Sequence, residues 1–205
     1  MKLKVCGLSN PDEVKICINY NVNFCGFILN YPKSHRYISY EKANELLNIN
    51  KNKTKFVGVL VKPSLEELNK FSKLNLDYFQ LYGEYNSKLL ANIKKNFKKK
   101  IITTIQVTNK SDIDTYKNIE DESDIILWDS SGYEKSLGWN HNWIKNIKIK
   151  GEKMIAGNIT KDKLGNLSKF ADIIDVSGAL ETNKVKDTQK IKEFVMCLKK
   201  INNEN

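Results

Sequence analysis

Two side chains in this sequence combine reactive chemistry with a place at the end of a short apolar run. Cys6 ends the run 3–6 and is followed by Gly7, and Asp129 ends the run 125–129, after Ile125, Ile126, Leu127 and Trp128. A thiol and a carboxyl facing one cavity can work as base and acid when burial and neighbouring charge set their pKa values apart. The thiol acts as its thiolate, which a cationic, partly desolvated site favours. Each residue has a plainer use as well. A free Cys packs as a small hydrophobe, and an Asp ahead of Ser130, Ser131 and Gly132 can serve a turn. Cys17, Cys25 and Cys197 lie in apolar patterns and fit the packing use.

Two further segments suit an anion. Ala156-Gly157-Asn158 and Ser177-Gly178-Ala179 each follow an apolar run and consist of small residues that let backbone N–H groups approach a phosphate. Either tripeptide alone is also an ordinary turn. The loop 30–37 carries Arg36, whose guanidinium can fork onto a carboxylate, and His35, which reads as an exposed polar group without a role.

The elements that would carry these groups follow a regular rhythm. Eight short apolar runs, at 3–6, 24–29, 55–61, 78–81, 101–106, 125–129, 153–156 and 173–176, read as strands. Segments with helical spacing lie between and after them, at 12–20, 40–47, 64–71, 87–97, 112–116, 139–144, 161–170 and 187–200. Asn10 before Pro11, and Ser64 with Glu67 three residues on, mark two helix starts. Strict β-then-α alternation implies parallel strands with right-handed crossovers. Eight units predict an α/β fold, a single-domain (β/α)8 TIM barrel over residues 1–205, rather than an open sheet, which would place a Gly-rich phosphate loop after its first strand. In such a barrel the reactive groups sit at the C-terminal strand ends, where Cys6 and Asp129 fall. The phosphate site is frequently built by the loops after strands seven and eight.

The 205 residues suit one core, and the formal charge of +10 raises the question of a polyanion partner. The densest basic stretch, 94–100, reads as a helix end, where cations meet the negative pole of the dipole. Other lysines alternate with Asn, Glu and Asp, as on solvated faces. No nucleic-acid partner is expected. The four cysteines lack the paired spacing of zinc sites or disulfide frameworks, no apolar run approaches the ~18 residues of a membrane span, and the N-terminus lacks the apolar stretch of a signal peptide. A cytoplasmic protein with reduced thiols, and no membrane partner, is expected.

Taken in order, Lys4-Val5-Cys6-Gly7-Leu8, Pro32-Lys33-Ser34-His35-Arg36-Tyr37, Val57-Gly58-Val59, Gln80-Leu81-Tyr82-Gly83-Glu84, Asp129-Ser130, Ile155-Ala156-Gly157 and Asp175-Val176-Ser177-Gly178-Ala179-Leu180-Glu181 resemble the phosphoribosylanthranilate isomerase family over nearly the whole chain. The resemblance implies an Amadori rearrangement in tryptophan biosynthesis, converting N-(5-phosphoribosyl)anthranilate to 1-(2-carboxyphenylamino)-1-deoxyribulose 5-phosphate. It implies Asp129 as general acid on the ring oxygen, Cys6 as general base at C2, and Arg36 on the anthranilate carboxylate. Gln80, Gly157, Asn158, Ser177, Gly178 and Ala179 are the further substrate-binding positions. The implied enzyme is a monomer or homodimer acting on a small phosphorylated substrate, with no cofactor and no metal. A histidine-pathway aminoaldose isomerase would instead begin with an Asp base and show two similar halves. The alternative is a catalytically weakened or silent barrel that binds phosphosugars as a pathway scaffold.

The chain departs from the family pattern at four places. The loop after Asp129 reads Ser131-Gly132-Tyr133-Glu134-Lys135-Ser136-Leu137-Gly138, with two glycines fewer. Tyr82 stands in place of a histidine, Asn158 in place of a second glycine, and Asn183-Lys184-Val185 where a glycine precedes Lys186-Asp187. Asn is the side chain best suited to replace Gly at a positive φ.

Overall fold

All eight apolar runs are strands, each within a residue of its expected bounds: β1 Lys2–Cys6, β2 Phe24–Ile28, β3 Lys55–Val61, β4 Tyr78–Tyr82, β5 Lys100–Val107, β6 Ile125–Ser130, β7 Glu152–Ile155 and β8 Ile173–Val176. The computed structural model describes residues 1–130 and 138–204. The strands hydrogen-bond in sequence order, all parallel, and β1 closes the barrel on β8 with Lys4 opposite Asp175.

Side chains alternate between the two faces of each strand. Outward residues such as Val5, Phe27, Phe56, Phe79, Trp128 and Ile174 join the core beneath the helices. Inward ones form layers. Phe24, Val57, Tyr78, Ile102, Ile125, Leu127, Met154 and Ile173 pack as an apolar plug inside the barrel. The next inward positions, two residues along, include the polar Lys4, Gln80, Thr104 and Asp175, all under 10% exposed. The filling thus changes from hydrocarbon to hydrogen-bonding groups towards the C-terminal strand ends.

The first four helices are α1 Pro11–Asn19, α2 Tyr40–Leu47, α3 Leu65–Ser72 and α4 Ser87–Phe97. Asn10 with Glu13, and Ser64 with Glu67, form capping boxes at the starts of α1 and α3. The helix α4 ends at Lys98 in a left-handed cap, so the basic stretch 94–100 does close a helix.

Beyond β5 the expected helices lose regular α geometry until the last of them. Residues Lys110–Asn118 and His141–Ile144 are 3-10 turns, and the segment 161–170 resolves into a 3-10 turn, Lys161–Lys163, and the four-residue α5 Leu164–Leu167. Ser, Asp, Thr and Asn side chains compete for the backbone in Lys110–Asn118, which disfavours a regular α-helix. Full length returns only in α6 Thr188–Glu204.

Before α6 comes a hairpin that the alternating pattern did not suggest, β9 Glu181–Thr182 with β10 Val185–Lys186. Asn183 and Lys184 both have positive φ, 52° and 64°, as a two-residue turn matched to strand twist requires. The altered loop after Asp129 lies, except for Gly138, outside the described residues.

Candidate active site

A cavity of about 440 Å³ opens at the C-terminal ends of the strands. Of the nine residues singled out for catalysis or substrate binding, eight line it: Cys6, Arg36, Asp129, Gly157, Asn158, Ser177, Gly178 and Ala179. Gln80 does not. It is fully buried one layer below, where its Nε2 donates to the Tyr82 hydroxyl at 3.2 Å.

At the base of the cavity β1 sends Lys4 and Cys6 inward, two residues apart on one face. Lys4 is fully buried and its Nζ donates to Asp175 Oδ2 at 2.7 Å. Gly26 makes room for both side chains, because a Cβ there would lie 2.9 Å from Cys6 Sγ and 3.1 Å from Lys4 Nζ. Burial disfavours the Lys4 charge, yet Asp175 and Cys6 outweigh it and hold the ammonium above its ordinary pKa. Burial pushes the Cys6 thiol up, with the Lys4 charge pulling the other way. The resting group is therefore a thiol beside a fixed cation, placed to stabilise the thiolate once it forms. Asp175 borders the cavity, and its Oδ1 has no partner among the described residues. A buried acceptor left open in this way is suited to a ligand hydroxyl.

Across the barrel, Asp129 is held at both oxygens. Oδ1 accepts the Ser130 N–H at 2.7 Å and Oδ2 accepts the Tyr82 hydroxyl at 2.8 Å. Burial raises its pKa to about 6 against the pull of these donors. A carboxyl titrating there can exist as the acid in a near-neutral site. Beside it, Trp128 packs outward, edge to face on Tyr116 at 6.1 Å, which anchors the end of β6.

The rim is set by two loops. After β7, Gly157 and Asn158 have φ of 90° and 51°, so the asparagine occupies the left-handed position expected of it. Trp139 Nε1 donates to the Ala156 carbonyl at 2.9 Å, His141 Nε2 to the Gly157 carbonyl at 3.0 Å, and Lys163 Nζ to the Asn158 carbonyl at 2.6 Å. None of these three donors lines the cavity. In a trans peptide the N–H points opposite the C=O. The N–H groups of residues 157–159 thus face away from these three donors, which suits a rim loop that is to receive an anion. After β8, the 3-10 turn Gly178–Leu180 brings Gly178 and Ala179 to the same rim.

Arg36 reaches the rim over Gly7. A Cβ at Gly7, whose φ is 78°, would meet Arg36 Cδ at 2.4 Å. The guanidinium is gripped by Glu181, with Nε to Oε1 at 2.5 Å and Nη2 to Oε2 at 3.0 Å. The hairpin folds Lys186 back onto the same carboxylate, and Lys186 Nζ also donates to Ser177 Oγ at 3.2 Å. His35 Nε2 lies 3.2 Å from Glu181 Oε2. Burial alone would raise Glu181, but Arg36 and Lys186 hold it down at about 2.

Reasoning from strand ends and the loops that follow them placed Cys6, Asp129, Arg36 and both rim loops at the cavity. It gave no role to Lys4, Asp175, Tyr82, Glu181 or Lys186. A charged Lys4 between Leu3 and Val5, in phase with Cys6, was the available signal for the first of these.

A family model described as N-(5'phosphoribosyl)anthranilate (PRA) isomerase matches residues 3–196. The N-(5'-phosphoribosyl)anthranilate isomerase of Streptococcus mutans is 31% identical over 204 residues, covering 97% of this chain and 99% of its own. That of Clostridium acetobutylicum is 30% identical over 213 residues, covering 98% of each. Among solved structures, phosphoribosyl anthranilate isomerase from Thermotoga maritima superposes with a TM-score of 0.85 at 24% identity, covering 98% of this chain and 99% of that one, and shares the barrel fold. With a matching model from the first strand into the last helix, and relatives of equal length, the chain belongs to the phosphoribosylanthranilate isomerase family.

Proposed function

We propose that this chain is the isomerase that converts N-(5'-phosphoribosyl)anthranilate to 1-(2-carboxyphenylamino)-1-deoxyribulose 5-phosphate, with Asp129 as acid and Cys6 as base. The observation that carries the reading is that a carboxyl raised to about 6 and a thiol beside a buried ammonium line one cavity. The phosphate docks on the N–H groups at Gly157, Asn158, Gly178 and Ala179, and the anthranilate carboxylate meets Arg36. Gln80 acts from below, through Tyr82.

In the first step Asp129 gives its proton to the ring oxygen. The C1–O bond breaks towards that oxygen, and the nitrogen lone pair forms the C1=N iminium, leaving Asp129 as carboxylate. The iminium is itself a cation above Cys6, and with Lys4 it favours the thiolate, the thiol proton leaving to water in the open cavity before the C2 proton is taken. Cys6 then takes the C2 proton, and the C–H electrons become the C1=C2 bond as the iminium electrons return to nitrogen. The enolamine loses its C2 hydroxyl proton and gains one at C1, giving the ketone. Asp175 Oδ1 is the acceptor for a sugar hydroxyl at this level. The iminium serves as electron sink, so the scheme calls on no cofactor or metal. Each positioned proton transfer accounts for roughly 10²- to 10⁴-fold of the rate.

The enzyme acts as a monomer or a homodimer in the cytoplasm. A phosphoribosylanthranilate isomerase of Thermotoga maritima, which this chain resembles in fold with a TM-score of 0.82, is dimeric. Among the described residues no helix is long and apolar enough to cross a membrane.

The test follows the fluorescence of phosphoribosylanthranilate on addition of purified protein, alongside Cys6→Ser. Rapid loss with the wild type and its collapse in the variant are expected. No turnover by folded wild type would leave the barrel and remove the isomerase.

A further inference from the structure

We propose that Tyr82 is the positioning residue of the acid, a hydrogen-bond donor that, backed by Gln80, fixes the Asp129 carboxyl for proton transfer. The proposal rests on the isomerase reading for its catalytic consequence, and on geometry alone for the grip itself.

The hydrogen bonds run in one direction. The Gln80 amide nitrogen can only donate, so the 3.2 Å contact to the Tyr82 oxygen commits the phenol's own proton to Asp129 Oδ2, 2.8 Å away. Donation into the phenol oxygen polarises its O–H and strengthens the second bond. Gln80 is fully buried, so water does not compete for this link. With the Ser130 N–H on Oδ1, both carboxyl oxygens are fixed in space while Asp129 still borders the cavity.

Among the described residues, the other charged and titratable groups that act on the Asp129 carboxyl or on Tyr82 are Lys4 and Cys6 on β1 and Asp175 on β8; on β5 the neighbour of Asp129 in register is Gln106, which is neutral. Burial, the Asp129 charge, and those of Cys6 and Asp175 hold the Tyr82 phenol well above its ordinary 10. It therefore stays a neutral donor throughout the range in which Asp129 exchanges its proton. A histidine at this position, as in the family pattern, would titrate in that same range. Tyrosine thus separates orientation from titration, so the group that orients the acid does not itself change charge near neutrality.

A donor to the carboxylate stabilises the charged form, so removing it should raise the Asp129 midpoint. The test is a ¹³C-carboxyl NMR titration of Asp129 in the full-length protein, compared with Tyr82→Phe, with kcat and KM across pH for both. The expected result in Tyr82→Phe is a midpoint higher by roughly one pH unit. The alkaline limb of kcat should move up with it, and the plateau should fall by about tenfold with KM nearly unchanged. Tyr82→His should add a second ionisation to the profile. An Asp129 midpoint that stays put in folded Tyr82→Phe overturns the proposal whether or not the protein turns over. A rise in KM with kcat unmoved also overturns it, by making Tyr82 a substrate contact. A shifted midpoint in a protein without turnover would keep the grip and refute the isomerase.

Discussion

Asp129 and Glu181 are two largely buried carboxyls serving one cavity, and their surroundings drive them in opposite directions. Asp129, at the end of β6, is met by a phenol and a peptide N–H, both neutral, and burial raises it to about 6. Glu181, at the start of the hairpin, faces burial too, but is clasped by Arg36 and Lys186 and held at about 2. Neutral donors orient a carboxyl and leave its proton exchangeable, whereas cations fix its charge. One group is thereby equipped to move a proton and the other to hold an arginine still.

The largest expected effect separates the two roles directly. Asp129→Asn should lower turnover by about 10²- to 10⁴-fold, measured by the fluorescence assay. The same variant should be more stable than the wild type at pH 7 by up to about 3 kcal/mol in urea unfolding, since a shift from 3.8 to about 6 makes the charged form unwelcome in the fold. The sign follows from a raised folded pKa. The wild type is best off below pH 3.8 and loses that contribution as pH rises through about 6, so the two proteins should converge in acid. A variant that is less stable at pH 7 would break the contrast.

Glu181→Gln should behave in the opposite way, losing about 3 kcal/mol because two buried cations lose their shared anion. KM should rise as Arg36 loosens, with kcat less affected. A folded pKa lowered from 4.5 to about 2 means that the wild-type advantage is present above pH 4.5 and fades as pH falls through about 2. The smallest effect is that of Gly7→Ala, which imposes a Cβ on a φ of 78° and displaces Arg36. It should cost about 1–3 kcal/mol and raise KM without touching the pH profile set by Asp129.

The strands were legible because β-branched and apolar runs at regular intervals leave few alternatives, and the place of Cys6 and Asp129 on the cavity was legible because each ends such a run. The helices after β5 were overread, since apolar spacing is blind to the Ser, Asp, Thr and Asn content that tightened 110–118 into a 3-10 turn. Lys4 and Asp175 escaped because each sits inside an apolar run, and their pairing exists only when residues 171 positions apart become neighbours across the closing strands. The hairpin escaped because Asn183-Lys184 puts a lysine where a turn glycine would have announced it. Tyr82 was seen as a substitution, but its meaning depended on where the phenol points.

The Lys4–Asp175 pair also bears on how the barrel assembles. Lys4 belongs to the first strand and Asp175 to the last, so until β8 docks the lysine charge inside the barrel has no counterpart. A seven-stranded intermediate would carry that charge in a dry interior or leave β1 undocked, and either state is high in free energy. Closure of the seam is thus tied to the cooperativity of folding. Exchange of the β1 and β8 backbone amides should follow global unfolding, with the seam opening last and as a unit.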